Sequence, residues 1–494
     1  MHRLKWVLAS LIVCLLSLLT FWWLTFDPTS AEAQSPQPQQ LLHTASPTAS
    51  LTHAELVTAN LPAGSAMYTA KRGDSVIAVS RRYVSQTSYL TSSELAEAIR
   101  NTNRDVDGTF LKQGQNVVIP GLLDSPIVEK SVPVSRDFEA RAIYLTGVMA
   151  GSDRGLKIIR RWRELGGNAV VFDIKDSDGI VNIPFDNPLA GTHHTYIRDL
   201  PKFTRFLHSQ RMHAIARVAI FRDEHLVTTH PELAVKSHRT GEAWRENGKL
   251  VWTDPSQPKV QEYDIALAKA AIAGGADEIQ FDYVRFPAEG DQKDATFQFQ
   301  TGHPEWHRSD VIADFLKHAY AEIHPSGVLL SLDVFGIMAW QRPVDLNHTG
   351  QDIVAMAKHC DVLSPMIYPS HFFGMDGIAR PGDAPEHFIG ESMERFQKIT
   401  KGSDVVLRPW LQAFAWRTKT YSPEYIKTQV LTSKNKGGVG FLFWNANNDY
   451  SKPYVAMPEM KAEKDKYFRG DEVAQSVQAG LRTGSVNGSS GINH

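Results

Sequence analysis

Four acidic residues, Asp173, Glu224, Asp282 and Asp333, stand at or just beyond the ends of short apolar runs, with Arg217 and Arg285 among them. Two carboxyls converging on one point can break an acetal. One protonates the leaving oxygen while the other attacks the anomeric carbon or activates water. An arginine alongside can hold the attacking carboxylate in its charged form. The richest stretch is Glu278–Pro287, E-I-Q-F-D-Y-V-R-F-P, where Ile279 and Phe281 alternate with polar neighbours as in a buried strand and Pro287 ends the ladder. Asp282 is therefore the first candidate nucleophile. Asp333 is its candidate partner, because adjacent strands lie only about 4.8 Å apart. Glu224 and Asp173 are substitutes for the acid.

Such groups need a scaffold that brings distant strand ends together. From Arg141 to Phe468 strand-like and helix-like patterns alternate eight times. Predicted strands are 142–145, 169–174, 214–220, 278–283, 328–334, 362–367, 405–411 and 439–443. Predicted helices include 155–165, 200–210, 261–273, 311–323, 385–400 and 423–434. Short apolar strands bracketed by helices signal parallel βα units, and eight of them fit a (β/α)₈ TIM barrel. No glycine-rich phosphate turn follows the first strand, which argues against a doubly wound sheet.

Barrel enzymes gather their chemistry at the C-terminal strand ends. That filter adds Asp176, Asp223, Tyr368, His371, Gln412 and Asn445 to the acids and arginines. Trp410 and Trp444, with Trp340 and Trp416, offer flat faces for sugar rings. Arg217, Arg285, Tyr368, His371, Trp410, Gln412, Trp444 and Asn445 form the expected substrate-binding set. Asp361 begins its strand and is assigned to the stability face. Structural roles compete with all of these: a lone aspartate more often caps a helix, I-K-D-S-D-G reads as a plain turn, and Trp410 and Trp444 can be packing. His193-His194 has no third ligand at metal spacing. No metal or cofactor is expected.

Motifs now carry a resemblance. A-V-V-F-D-I-K-D, W-T-D-P-S, G-A-D-E-I-Q-F-D-Y-V-R-F-P, L-S-L-D-V-F-G and L-S-P-M-I-Y-P-S-H-F occur in this order. Together they resemble a bacterial family labelled as glycosyl hydrolases, grouped with barrels distantly similar to alpha-amylases. The resemblance implies a strand-four aspartate nucleophile, here Asp282. The strand-five acid of such barrels is normally Glu, whereas this chain has Asp333. A chitinase-like barrel using the substrate's own acetamido group is the enzymatic alternative, suggested by Met366-Ile367-Tyr368. The alternative of another class is a wall-binding protein whose barrel does not catalyse.

Ahead of the barrel, Y-T-A-K-R-G-D-S-V-I-A-V-S-R-R-Y, L-A-E-A-I-R-N-T-N and L-K-Q-G-Q-N-V-V-I-P resemble a LysM module, a small βααβ fold. The resemblance implies binding of peptidoglycan or another N-acetylglucosamine glycan near Gly73, Asp74 and Ser75. Helix N-capping is the structural alternative for Asp74 and Ser75. Val84–Thr91 is longer than such modules usually have between their helices.

The chain has 494 residues, 42% of them hydrophobic and 21% charged, and a net charge of −2 without a long basic run. It is an ordinary globular composition in two or more domains, and nucleic acid is a poor partner for it. Trp6–Phe26 is apolar, follows Arg3 and Lys5, and is long enough for the roughly 30 Å hydrocarbon core. It is read as a signal anchor, or else a cleaved signal peptide ending near Ala31-Glu32-Ala33. Val13 before Cys14 argues against a lipoprotein signal. Either reading puts the remainder outside the cytoplasm: at the membrane's outer face, or secreted. The expected divisions are an anchor over 1–27, a disordered linker over 28–65, LysM over 66–121, a second linker over 122–140, the barrel over 141–468 and a flexible tail over 469–494. Two cysteines, Cys14 and Cys360, do not make a disulfide framework.

Overall fold

The computed structural model describes residues 56–57, 61–106 and 108–470. The expected anchor and most of the first linker and of the tail lie outside these residues. The chain divides into two units, residues 1–127 and 128–494. Among the described residues, no helix is long and apolar enough to cross a membrane.

In the first unit, Ser65–Thr69 pairs antiparallel with Asn116–Pro120 and with the short strand Leu56–Val57. Helices Val76–Tyr83 and Ser92–Thr102 pack together beside it. Ser75 and Thr91 cap these helices with their hydroxyls, accepting from Ala78 N and Glu94 N. Between them, Val84–Gln86 forms a 3₁₀ turn and Thr87 is fully buried, so the longer connection is itself packed.

The second unit is a closed parallel barrel of eight strands. They are Arg141–Leu145, Ala169–Lys175, His213–Ala219, Glu278–Asp282, Leu329–Phe335, Val362–Ile367, the interrupted pair Val406–Leu407 and Trp410–Gln412, and Phe441–Trp444. Each pairs in parallel with the next, and the eighth returns to the first. Barrel helices include Asp153–Glu164, Leu200–Ser209, Pro258–Ala273, Arg308–Ile323, Pro385–Ile399 and Pro423–Asn435. Every predicted strand and helix is present with ends shifted by a few residues at most. The expected linker 122–140 is split: Ser131 Oγ donates to Ala276 O (2.5 Å) and Val132 N to Asp277 Oδ1 (2.6 Å), joining this segment to the N-terminal side of strand four.

Strand four sets the barrel's interior. Ile279 and Phe281 are fully buried, and Phe281 packs on Phe315 of an outer helix. The period of two then turns Glu278, Gln280 and Asp282 inward. Glu278 bonds Arg408 at 2.8 Å and His213 at 3.0 Å. Burial raises the Glu278 pKa, but Arg408 and His213 outweigh it and hold it at about 2. One layer up, Gln280 reaches Ser364 across the barrel at 3.2 Å. Asp282 is the top of this stack. Asp361 lies at the opposite end, accepting from Leu330 N (2.9 Å) as its place at a strand start implies.

Candidate active site

Arg217 organises the C-terminal end of the barrel. Its guanidinium lies 2.5 Å from Asp173, 2.7 Å from Asp282, 3.3 Å from Asp176 and 3.9 Å from Asp333. Register explains the gathering: Asp173 pairs with Arg217, Ala219 with Asp282, and Phe281 with Leu332, so strands two to five deliver these side chains side by side. One buried cation thus faces four acids. Asp176 is partly exposed, while the other three are buried, where like charges oppose one another's ionisation.

How strong that opposition is depends on the surroundings. Asp333 is 1% exposed, and its Oδ2 is buried with no hydrogen-bond partner. Burial, then the charge of Asp282, pushes its pKa well above the ordinary range. Burial likewise lifts Asp173 to about 7 against the pull of Arg217, with Asp176 adding to the rise. Asp282 is treated differently. Its Oδ2 accepts from Arg217 Nη2 (2.7 Å) and Nε (3.2 Å), and its Oδ1 from the Tyr283 backbone N–H (2.6 Å). Tyr283 sits at φ +54°, a left-handed conformation that non-glycine residues seldom adopt, immediately after the strand.

Arg217 Nε is 3.2 Å from Asp282 Oδ2 and 3.9 Å from Asp333 Oδ2, so these two oxygens are within about 7 Å of each other. Carboxyl pairs about 5–5.5 Å apart serve retaining glycosidases, and pairs roughly 6.5–9.5 Å apart serve inverting ones. The nearest oxygens of this pair thus fall within reach of both ranges.

Other expected site residues divide sharply. Tyr368 belongs here: both Asp333 and Asp282 act on its buried phenol, whose pKa burial raises first, and its ring packs with Trp444, Phe414 and His371. Trp444 and His371 are half-buried in this aromatic wall with Trp416. Burial, then Arg417, lowers His371 to about 4, leaving it neutral at ordinary pH.

Trp410 is not a sugar platform. It is 2% exposed and spends its indole N–H on Asp333. Gln412 and Asn445 are also consumed by the fold. Gln412 bonds Phe414 O, Thr418 and Ser370 N, while Asn445 bonds Ala413 O and Asn447 N. Glu224 stands exposed in the first turn of helix Glu224–Thr229, outside the Arg217 cluster. Arg285 makes no ion pair with Asp282. It lies instead over the rings of Phe335, Trp252 and Tyr283.

One member, and one buried cluster beside the site, were not anticipated. Tyr144 of strand one donates its hydroxyl to Asp173 and lies beneath Arg217. Its parity with inward-facing Ala142 was a readable signal. Lys175 follows Asp173 by two and would share its face, but a bulge pairs Lys175 with outward-facing Val218. It is buried between Asp223 (2.8 Å) and Asp264 (2.7 Å), so Asp223 is occupied outside the cup. Asp223 also caps the helix that follows it.

In the first unit Asp74 is a tie within the fold. It is 7% exposed and accepts from Tyr68 Oη (2.5 Å) and Lys71 N (2.8 Å), with Arg82 at 3.4 Å. Gly73 has φ +86° and open space where a Cβ would stand.

A family model described as "Putative glycosyl hydrolase domain" matches residues 142–450. Among solved structures, a hypothetical protein from Ruminiclostridium thermocellum is 37% identical over 39% of this chain and 97% of its own, with a TM-score of 0.35. The PgaB (BpsB) glycoside hydrolase domain from Bordetella bronchiseptica is 17% identical over 67% of this chain and 99% of its own, with a TM-score of 0.50. The latter likeness is one of fold. No curated protein matches the chain.

Proposed function

The chain belongs to this family of glycosyl hydrolases, and on that premise we propose that Asp282 and Asp333 cleave a polysaccharide with retention of configuration. The carrying observation is the unequal treatment of two neighbouring acids by one arginine. Asp282 is doubly bonded by Arg217, whereas Asp333 is buried with an unpartnered oxygen and its pKa is pushed well above the ordinary carboxyl value. In the first step an Asp282 oxygen attacks the anomeric carbon, and the bond to the leaving oxygen breaks as that oxygen takes the Asp333 proton. In the second, Asp333 takes a proton from water, whose oxygen displaces Asp282 from the same carbon. Tyr368 and Trp444 line the approach. The test is to resolve the first-formed anomer by proton NMR after screening a broad glycan panel for reducing-end release. Retention supports the pair, and inversion excludes a glycosyl-Asp282 intermediate.

We further infer that the first unit is a LysM-type module holding the enzyme on peptidoglycan or a related N-acetylglucosamine glycan, at the outer face of the membrane. Supporting this are the motif blocks and the strand–helix–helix–strand order. Phe110 is also 74% exposed beside the Asp74–Val76 turn, to which its neighbours Thr109 and Leu111 bond through the backbone. Sedimentation of the whole chain with purified peptidoglycan tests it.

A further inference from the structure

Arg285 is a buried cation to which the mechanism above gives no work. It is 7% exposed, and no carboxylate among the described residues lies within 4.0 Å of its guanidinium. Its one side-chain hydrogen bond is from Nη1 to the Phe286 carbonyl (3.1 Å). The remaining N–H groups face aromatic neighbours: the guanidinium carbon is 4.4 Å from the Phe335 ring centre, 4.7 Å from Trp252 and 5.4 Å from Tyr283. An independent observation points the same way. Trp252, 1% exposed, keeps its indole N–H buried without an acceptor. Arg285 therefore stacks on the ring whose own N–H lacks an acceptor, and both groups can only donate.

The site is firmly built. Strand pair Lys236–Ser237 with Ala295–Thr296 ties together the excursions after strands three and four, which supply Trp252 and Arg285. Asp254 reinforces the tie by accepting from Gln298 N (2.6 Å), and Ser237 Oγ donates to Asp294 (2.8 Å). Tyr283 directly follows Asp282 and Phe335 stands two residues beyond Asp333, so the cation flanks the reacting acids. Nearby charges are Arg222, over the Tyr283 ring, and the acids Glu246, Asp282 and Glu289. Burial and then Glu246 raise Glu289 to about 7, which leaves a substantial fraction of it uncharged at neutral pH.

We propose that Arg285 and the Trp252 N–H recognise a carboxylate carried by a sugar of the substrate, so that the enzyme acts on an acidic glycan. A planar guanidinium fits a carboxylate through two parallel bonds. Both a uronic acid and the free lactyl ether of a muramic acid present this group. The inference rests on the proposed reading of Asp282 and Asp333 only for the identity of the ligand as substrate.

Calorimetry of the whole chain with three probes tests it: a glucuronate-containing oligosaccharide, its carboxyl-reduced counterpart, and a peptide-free disaccharide with an N-acetylmuramic acid. The wild type should bind at least one acidic probe about tenfold or more tightly than the reduced one, as a charged hydrogen bond warrants. The tighter acidic probe identifies the source. Arg285→Met should erase the preference and Arg285→Lys retain part of it, and should Arg285→Met fail to fold, Trp252→Phe should still weaken the preference. Equal binding of acidic and reduced probes, binding of neither acid, or an undiminished preference in the variants overturns the proposal. Carboxylate-dependent binding without any turnover would uphold recognition by Arg285 and overturn the reading of its ligand as a substrate. Turnover indifferent to the carboxylate would overturn recognition by Arg285 and uphold the hydrolase reading.

Discussion

The indole Nε1 of Trp410 donates to Asp333 Oδ1 at 2.7 Å, so strand seven reaches across the barrel to hold the acid of strand five. This bond favours the charged form of Asp333 while burial and Asp282 oppose it. Trp410→Phe removes the donor and part of the buried indole's volume. Its expected effect is a further rise of the Asp333 pKa, moving the high-pH limb of kcat/KM to higher pH. A limb that stays in place, or moves down, would detach it from Asp333.

Asp173 predicts a pH dependence of stability. Its pKa is raised from 3.8 to about 7, so between these values the folded chain keeps a proton that the unfolded chain has released. Stability from this group is therefore present at the acid end and declines as pH rises through the window. Chemical denaturation across pH 4–7 should show a shallower decline in Asp173→Asn than in wild type.

Lys175 is fully buried with Asp223 and Asp264. Lys175→Met leaves both acids without their cation, and removing one side of such a cluster costs about 3–5 kcal/mol. Adding Asp223→Asn and Asp264→Asn should recover part of the loss in denaturant midpoint. An unchanged midpoint for Lys175→Met would show that the cluster carries no stability.

Folding and glycan capture should separate in the first unit. Asp74→Ala removes an acceptor shared by Tyr68, Lys71 and Arg82, with an expected cost of about 1–3 kcal/mol. Phe110→Ala, at an exposed position, should leave melting unchanged and reduce sedimentation with peptidoglycan.

The barrel was legible because its strands alternate so regularly with helices, and Asp282 because it closes an alternating apolar run, although the strand ends there and not at Pro287 as expected. Side-chain direction was harder. On strand four the polar residues face inward and the apolar ones outward, the opposite of an oily barrel interior. That inversion puts Arg408, Gln280 and Arg217 into one axial column. Trp410, Gln412 and Asn445 stand where a site residue should, yet each is consumed by hydrogen bonds within the fold, to partners both near and distant in sequence. Lys175 was hidden by a bulge that period-two reading cannot anticipate, and Arg285 by aromatic partners drawn from three separate segments. Proximity in the chain suggested that Arg285 serves Asp282, but the register gives that role to Arg217 on the neighbouring strand.

The most direct test of the Asp282–Asp333 assignment is the rate of reducing-end release by Asp282→Asn beside wild type, with melting measured on both. The account predicts a folded variant slowed about a thousandfold or more, as expected for losing a nucleophile. A folded Asp282→Asn protein that turns over at the wild-type rate would contradict it.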